Sequence, residues 1–185
     1  PTFTSGLEGG FPNKGRVGLI TQSGAYGTHL LTMAKSRRLG VSKWISTGNE
    51  GDITVAECLE YLIDSDTVDV IGCYMEGVKK PETLIRALKK ARAAGKAISI
   101  MKVGVSDVGS EAVQSHTASL TGSDASFQAL IDQYGAQRAQ TTEQMFDVLY
   151  AASLSPRAQG NKLGILTVSG GAGVLMADAA ETQNL

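Results

Sequence analysis

Short apolar runs alternate with stretches of helical periodicity along most of this chain, and that alternation leaves few folds open to it. Strand-like runs occur at Arg16–Thr21, Lys43–Ser46, Val68–Met75, Lys96–Lys102 and, more weakly, Ala136–Gln140. Between them, apolar residues recur at the i, i+3, i+4, i+7 spacing of a helix with one buried stripe. Val55/Cys58/Leu59/Leu62, Phe127/Leu130/Ile131/Tyr134 and Met145/Val148/Leu149/Ala152 are three such sets. Strands that are apolar on both faces, separated by helices, specify a parallel sheet covered on each side. Punctuation agrees: Pro81 suits a first helical position, Gly95 a helix end and Ser123 an N-cap. Five βα units over residues 16–154 predict an α/β, flavodoxin-like doubly wound parallel sheet.

Outside that block the pattern changes. Residues 1–15, with Gly9-Gly10 and Phe11-Pro12, read as an extended lead-in. Residues 155–162 (Ser-Pro-Arg-Ala-Gln-Gly-Asn-Lys) read as a polar linker. The pattern then restarts with a strand at Leu163–Val168, a turn at Ser169–Gly173 and a helix at Val174–Thr182. This echoes the first unit, with its strand Val17–Ile20, its turn Gln22–Gly27 and a helix running through Arg38. Residues 163–185 are therefore expected to be the first strand and helix of a second, similar domain. The chain is expected to be a fragment of a longer polypeptide.

Composition excludes several partners. A net charge of −1 offers no electrostatic case for nucleic acid or an anionic membrane. No apolar run approaches the roughly 20 residues of a membrane span, and none resembles a signal peptide, so a cytoplasmic protein is expected. Cys58 and Cys73 fall in apolar helix and strand patterns and read as buried, reduced thiols. Hydrophobic residues at 42%, with 22 glycines, suit a compact soluble domain.

Chemistry concentrates in a few places. Gln114–Asp124 sets His116 among small hydroxyl and glycine residues, a loop composition rich in donors and suited to an imidazole that carries an anion. On composition alone His116 could equally be a surface loop residue, and His29 reads as structural or solvent-facing. Gln22-Ser23-Gly24-Ala25 and Ser169-Gly170-Gly171-Ala172-Gly173 place small residues where a strand gives way to a helix, whose open N–H groups attract phosphate. Neither is a dinucleotide fingerprint or a Walker loop, and each alone could be a tight turn. Glu76 ends the longest apolar strand, where ligands collect in open α/β sheets. There it could fix the tautomer of an imidazole, or simply be solvated. Gly48 and Asn49 follow another strand and could line the same crevice, with Ser115 and Thr117 beside the histidine. Lys79-Lys80 and Arg37-Arg38 read as solvated charges. No metal site is expected.

Together these residues resemble the NDP-forming acyl-CoA synthetases, the superfamily that includes succinyl-CoA ligase and ADP-forming acetyl-CoA synthetase. The resemblance runs through nearly the whole chain. Ser115-His116-Thr117-Ala118-Ser119-Leu120-Thr121-Gly122-Ser123-Asp124 resembles the family's phosphohistidine loop, and Tyr74–Lys79 its strand end carrying the glutamate that holds the histidine. Gln22–Ala25 and Ser169–Gly173 resemble the starts of its two phosphate-facing helices. The resemblance implies an acid–CoA ligase interconverting acyl-CoA, ADP and phosphate with acid, CoA and ATP through a phosphohistidine at His116. It implies CoA, ATP/ADP, phosphate and nucleotide-bound Mg2+, the last sited outside this chain. It also implies a small carboxylic acid or its thioester, a CoA-binding and an ATP-grasp domain or subunit, an oligomer, and a fragment inactive alone.

One position departs from the family: Ala118 stands where glycine commonly follows the His-Thr pair. At positive φ, alanine would strain the loop by roughly 1 kcal/mol or more. Two rival readings come from other classes. A non-catalytic regulatory or ligand-sensing relative, as in acetyltransferase-linked proteins, would be expected to lose the histidine that is present here. A plain flavodoxin-like domain binding nucleotide or flavin lacks support, because no aromatic-flanked flavin loop is evident.

Overall fold

The computed structural model describes residues 10–117, 123–155 and 160–185, with the backbone alone described at 116 and 117. The chain divides into two compact units, residues 1–154 and 155–185. In the first, β1 (Val17–Thr21), α1 (Gly24–Ser36), β2 (Val41–Ser46), α2 (Val55–Ile63) and β3 (Val70–Met75) come first. Then follow α3 (Pro81–Ala94), β4 (Ala97–Lys102), α4 (Asp107–Thr117), α5 (Asp124–Tyr134), β5 (Gln137–Arg138) and α6 (Thr142–Leu154). The five strands form one all-parallel sheet in the order β2-β1-β3-β4-β5. This is the flavodoxin-like, doubly wound α/β sheet that the periodicity predicts.

Two apolar layers hold it. On one face Leu30, Leu31, Met145, Phe146 and Leu149 of α1 and α6 pack with Leu19 and Val70 of the sheet. On the other, Leu59, Leu84, Leu88, Phe127 and Ile131 of α2, α3 and α5 pack with Ile20, Ile71 and Ile100. Helices of 9–14 residues are marginal alone. Burying each Leu or Phe contributes about 1.5–3 kcal/mol, so packing rather than propensity holds them in place. Local signals set the ends. Thr54 and Glu57 form a reciprocal capping box on α2, Pro81 starts α3, and Gly95 and Gly135 end α3 and α5 in the left-handed conformation.

Four expectations need correction. The histidine segment is not wholly loop: Gln114–Thr117 forms the last turn of α4. That helix starts where the Ser106 hydroxyl accepts from Gly109 N at 3.1 Å, with Asp107 in its first turn. Its only buried residue among those described is Val113, so no apolar stripe announces it. In the second unit, residues 162–168 form no strand, because that unit holds no second strand to bond with among its described residues. The helix there, α7 (Gly170–Thr182), begins four residues before Val174, because the Ser169 hydroxyl accepts from Ala172 N at 3.4 Å and draws the glycines into the first turn. Finally, α1 stops at Ser36, and Arg38 turns away at φ 57°.

Candidate functional site

The sheet order creates a crevice. α1 leads from β1 outward to β2, whereas α3 leads from β3 the other way to β4, so the loops after β1 and β3 diverge at the carboxyl edge. Ligands of open α/β sheets bind at such a point. Gln22 and Glu76 sit there, one beyond β1 and one beyond β3.

Gln22 ties those two loops together. Its backbone N–H donates to Tyr74 O at 3.2 Å, which continues the β1–β3 ladder one residue past Thr21. Its side-chain Nε2 donates to Gly77 O at 3.0 Å, while Oε1 accepts from Glu76 N and, at 3.2 Å, from Gly77 N. Both the oxygen and the nitrogen of that amide thus hold the β3–α3 loop. Gln22 therefore positions Glu76, using one of its two Nε2 hydrogens. The Ser23 hydroxyl accepts from Tyr26 N at 3.2 Å and caps α1. Gly27 N bonds to Ser23 O, so Gly24 and Ala25 supply the first-turn amides without an intrahelical partner.

Glu76 is 8% exposed, placed on the same side of β3 as Tyr74. Burial, then the negative Glu76 nearby, pushes the Tyr74 phenol up to about 12. Tyr74 stacks on Tyr26 of α1 with ring centroids 4.2 Å apart, and the Tyr26 hydroxyl meets Thr142 Oγ1 at the start of α6. An aromatic wall thus backs the crevice on the α1/α6 face. The periodicity marks these tyrosines only as strand and helix residues; their position at the carboxyl end of β3 and in the first turn of α1 was the available signal.

The β2–α2 loop joins from the other side. Lys79, read as a solvated charge, donates its Nζ to Asn49 O at 2.6 Å and to Glu50 O at 3.2 Å, clamping Gly48–Glu50 to the loop that carries Glu76. Gly48 and Glu50 both have positive φ, 58° and 54°. Glu50 turns inward, and its Oε1 accepts from Val55 N at 2.7 Å. The structure thus brings together Gln22, Ser23, Gly24, Ala25, Gly48, Asn49 and Glu76 at one edge.

The Ser115 hydroxyl donates to Ala112 O at 2.9 Å, within α4. His116 and Thr117 have only their backbone described, at the end of α4, and Ala118–Gly122 lie outside the described residues. In the second unit, Ser169 repeats the geometry of Ser23, an extended cap residue accepting from the amide three positions on, with Gly170–Gly173 in the helix behind it.

Comparison with known proteins accords with this arrangement. Residues 14–152 match the model of the succinyl-CoA ligase like flavodoxin domain. An ADP-forming acetate–CoA ligase of Methanocaldococcus jannaschii is 38% identical over 175 residues, covering 95% of this chain and 25% of that protein. The alpha subunit of ADP-forming acetate–CoA ligase I of Pyrococcus furiosus is 39% identical over 171 residues, covering 92% and 37%. Among solved structures, the dinucleotide-forming acetyl-coenzyme A synthetase 1 of Ca. Korarchaeum cryptofilum, in complex with phosphate and ADP, superposes with a TM-score of 0.85 at 32% identity, covering 93% of this chain and 37% of that one. The chain thus spans about a quarter to two fifths of the length of these relatives. With the matched region containing all five strands and both loops of the crevice, this chain belongs to the succinyl-CoA ligase like flavodoxin-domain family.

Proposed function

We propose that this chain is the histidine-carrying part of an ADP-forming acid–CoA ligase, and that His116 relays the phosphoryl group. The observation that carries the reading is the Gln22 clamp, which holds a largely buried Glu76 beside the capped amino end of α1. Phosphoryl transfer depends mainly on positioning and charge stabilisation. A fixed carboxylate next to open helix amides supplies both.

In the first step a neutral His116 nitrogen attacks the phosphorus of an acyl phosphate. The P–N bond forms as the bond from phosphorus to the acyl oxygen breaks, and the carboxylate leaves. Glu76 accepts the N–H of the other ring nitrogen and stabilises the positive charge that develops there. The amides of Gly24 and Ala25, with the α1 dipole, stabilise the transferring oxygens by about 0.3–2 kcal/mol. In the second step ADP takes the phosphoryl group, breaking P–N and forming ATP. Ser169–Gly173 would serve a phosphate in the same way. CoA, the nucleotide with its Mg2+ and a small carboxylic acid belong to the whole enzyme, which needs CoA-binding and ATP-grasp domains and is expected to be an oligomer. The similarity to ADP-forming acetate–CoA ligases supports this assignment.

The test uses the intact enzyme incubated with radiolabelled ATP and Mg2+. Acid-labile, alkali-stable label on His116, discharged by ADP, is the expected result. His116→Ala should take no label and Glu76→Gln should label more slowly. Full turnover by His116→Ala would end the proposal, and an unaltered rate in Glu76→Gln would remove that residue from it.

A further inference from the structure

The chain that carries His116 returns to the described fold at Ser123 and Asp124, the cap and first residue of α5. Three charged side chains meet there. Arg138, on β5, donates Nη2 to Asp124 Oδ1 at 2.6 Å and Nη1 to Gln128 Oε1 at 2.9 Å, one turn further along α5. Lys102, the last residue of β4, brings its Nζ to 3.9 Å from the same Asp124 oxygen. Both cations lie over the Phe127 ring, each 5.7 Å from its centroid. The hydrogen bond from Arg138, and then the charges of Arg138 and Lys102, hold the Asp124 carboxyl below its ordinary range.

Stability does not account for this cluster. The Lys102 side chain is 1% exposed and that of Arg138 8%, and neither Lys102 Nζ nor Arg138 Nε has a hydrogen-bond partner. Two enclosed cations sharing one carboxylate repay their desolvation poorly, and apolar residues of similar volume would hold α5 as well or better. What directional ionic contacts add to the apolar packing of Phe127 and Ile131 is a fixed geometry. The anchorage also lies next to the crevice. Lys102 is in register with Met75, the residue before Glu76, and Val103 N donates to Met75 O at 3.0 Å. Adjacent strands lie about 4.8 Å apart, so the strand end before Glu76 and the one that faces Asp124 belong to one rigid edge.

Resting on the phosphohistidine reading, we propose that Asp124 is a positioning residue, anchored by Lys102 and Arg138, which fixes where the chain returns from His116 and so sets the imidazole against Glu76. Asp124 touches no reacting atom. It acts by holding the segment to strands, which place a group more precisely than a loop can.

The test follows the rate of His116 labelling from radiolabelled ATP and Mg2+ in the intact enzyme, by rapid quench, beside urea denaturation of the same proteins. Lys102→Met removes one cation and leaves the Arg138–Asp124 pair intact, so its urea midpoint should be unchanged or raised. Its labelling rate constant at saturating ATP should fall about tenfold, the scale of a small misplacement. The labelled fraction and the apparent KM for ATP should stay unchanged. Asp124→Asn, which keeps the side-chain volume and an acceptor for Arg138, should show the same slowing and keeps the test open if Lys102→Met does not fold. A merely structural role would lower the labelled fraction and the urea midpoint together and leave the rate constant alone. The parent rate constant in either folded variant, or slowing seen only with a lowered midpoint, would overturn the proposal. No label on His116 in the parent enzyme would end the phosphohistidine reading and this inference with it, whereas a labelled parent with equally fast variants would end this inference alone.

Discussion

Gln22 shows how far a residue's role depends on its neighbours. The sequence marks it as the first residue of an anion-facing turn; folded, its amide donates and accepts across to Glu76 and Gly77. Removing the clamp in Gln22→Ala should cost about 1–3 kcal/mol, because buried backbone groups of the β3–α3 loop lose their partners. Urea denaturation reads that loss, and His116 labelling in the intact enzyme should slow in parallel. Full stability and labelling would show that the loop holds itself. Glu57 offers a pH test at the same scale. Lys80, followed by the Thr54 backbone and hydroxyl, holds its carboxyl at about 2, below the ordinary 4.5. A depressed acid stabilises the fold above its unfolded value and loses that contribution as pH falls through its folded value. The melting temperature should therefore drop as pH goes from about 4.5 to about 2, and Glu57→Gln should flatten that part of the profile. A profile unchanged by the substitution would assign the acid sensitivity to other carboxylates.

Among the elements, α1 carries the tightest steric constraint near the crevice. A Cβ on Gly27 would lie 2.6 Å from Thr21 Oγ1 and 2.7 Å from the Trp44 ring, so only glycine lets α1 rest this closely on β1 and β2. Gly27→Ala should destabilise the fold by about 1–3 kcal/mol in spite of alanine's better helix propensity, because overpacking outweighs a gain of about 1 kcal/mol. A more stable variant in denaturant titration would refute the close packing. Gly95, at φ 67°, ends α3 for a different reason, since side chains are strained in the left-handed region. Elements with a buried stripe, such as α2, α5 and α6, were legible because packing writes itself into periodicity. α4 was not, as only Val113 among its described residues is buried. The second-unit strand was over-read for the converse reason: an apolar run states a preference, and a ladder requires a partner.

At the scale of the molecule, both apolar layers are built from residues before Leu154. No residue of α7 is buried within the structure. A chain ending at Leu154 should therefore unfold cooperatively, with stability within about 0.5 kcal/mol of the same unit in the full chain. A large loss or a non-cooperative transition would show that residues beyond 154 belong to its core. The sequence by itself determined the α/β class, the five strands and most of their ends, because these follow from local periodicity, caps and turns. It also brought the chemical candidates to strand ends, where a parallel sheet opens its crevice. Only the tertiary structure decided which polar groups are already engaged. Gln22 meets Gly77 across 55 residues and Lys79 reaches Asn49 across 30, and Lys102 is left with a single shared carboxylate. Those outcomes depend on strand order and on the face each side chain takes, non-local quantities that no window of sequence contains.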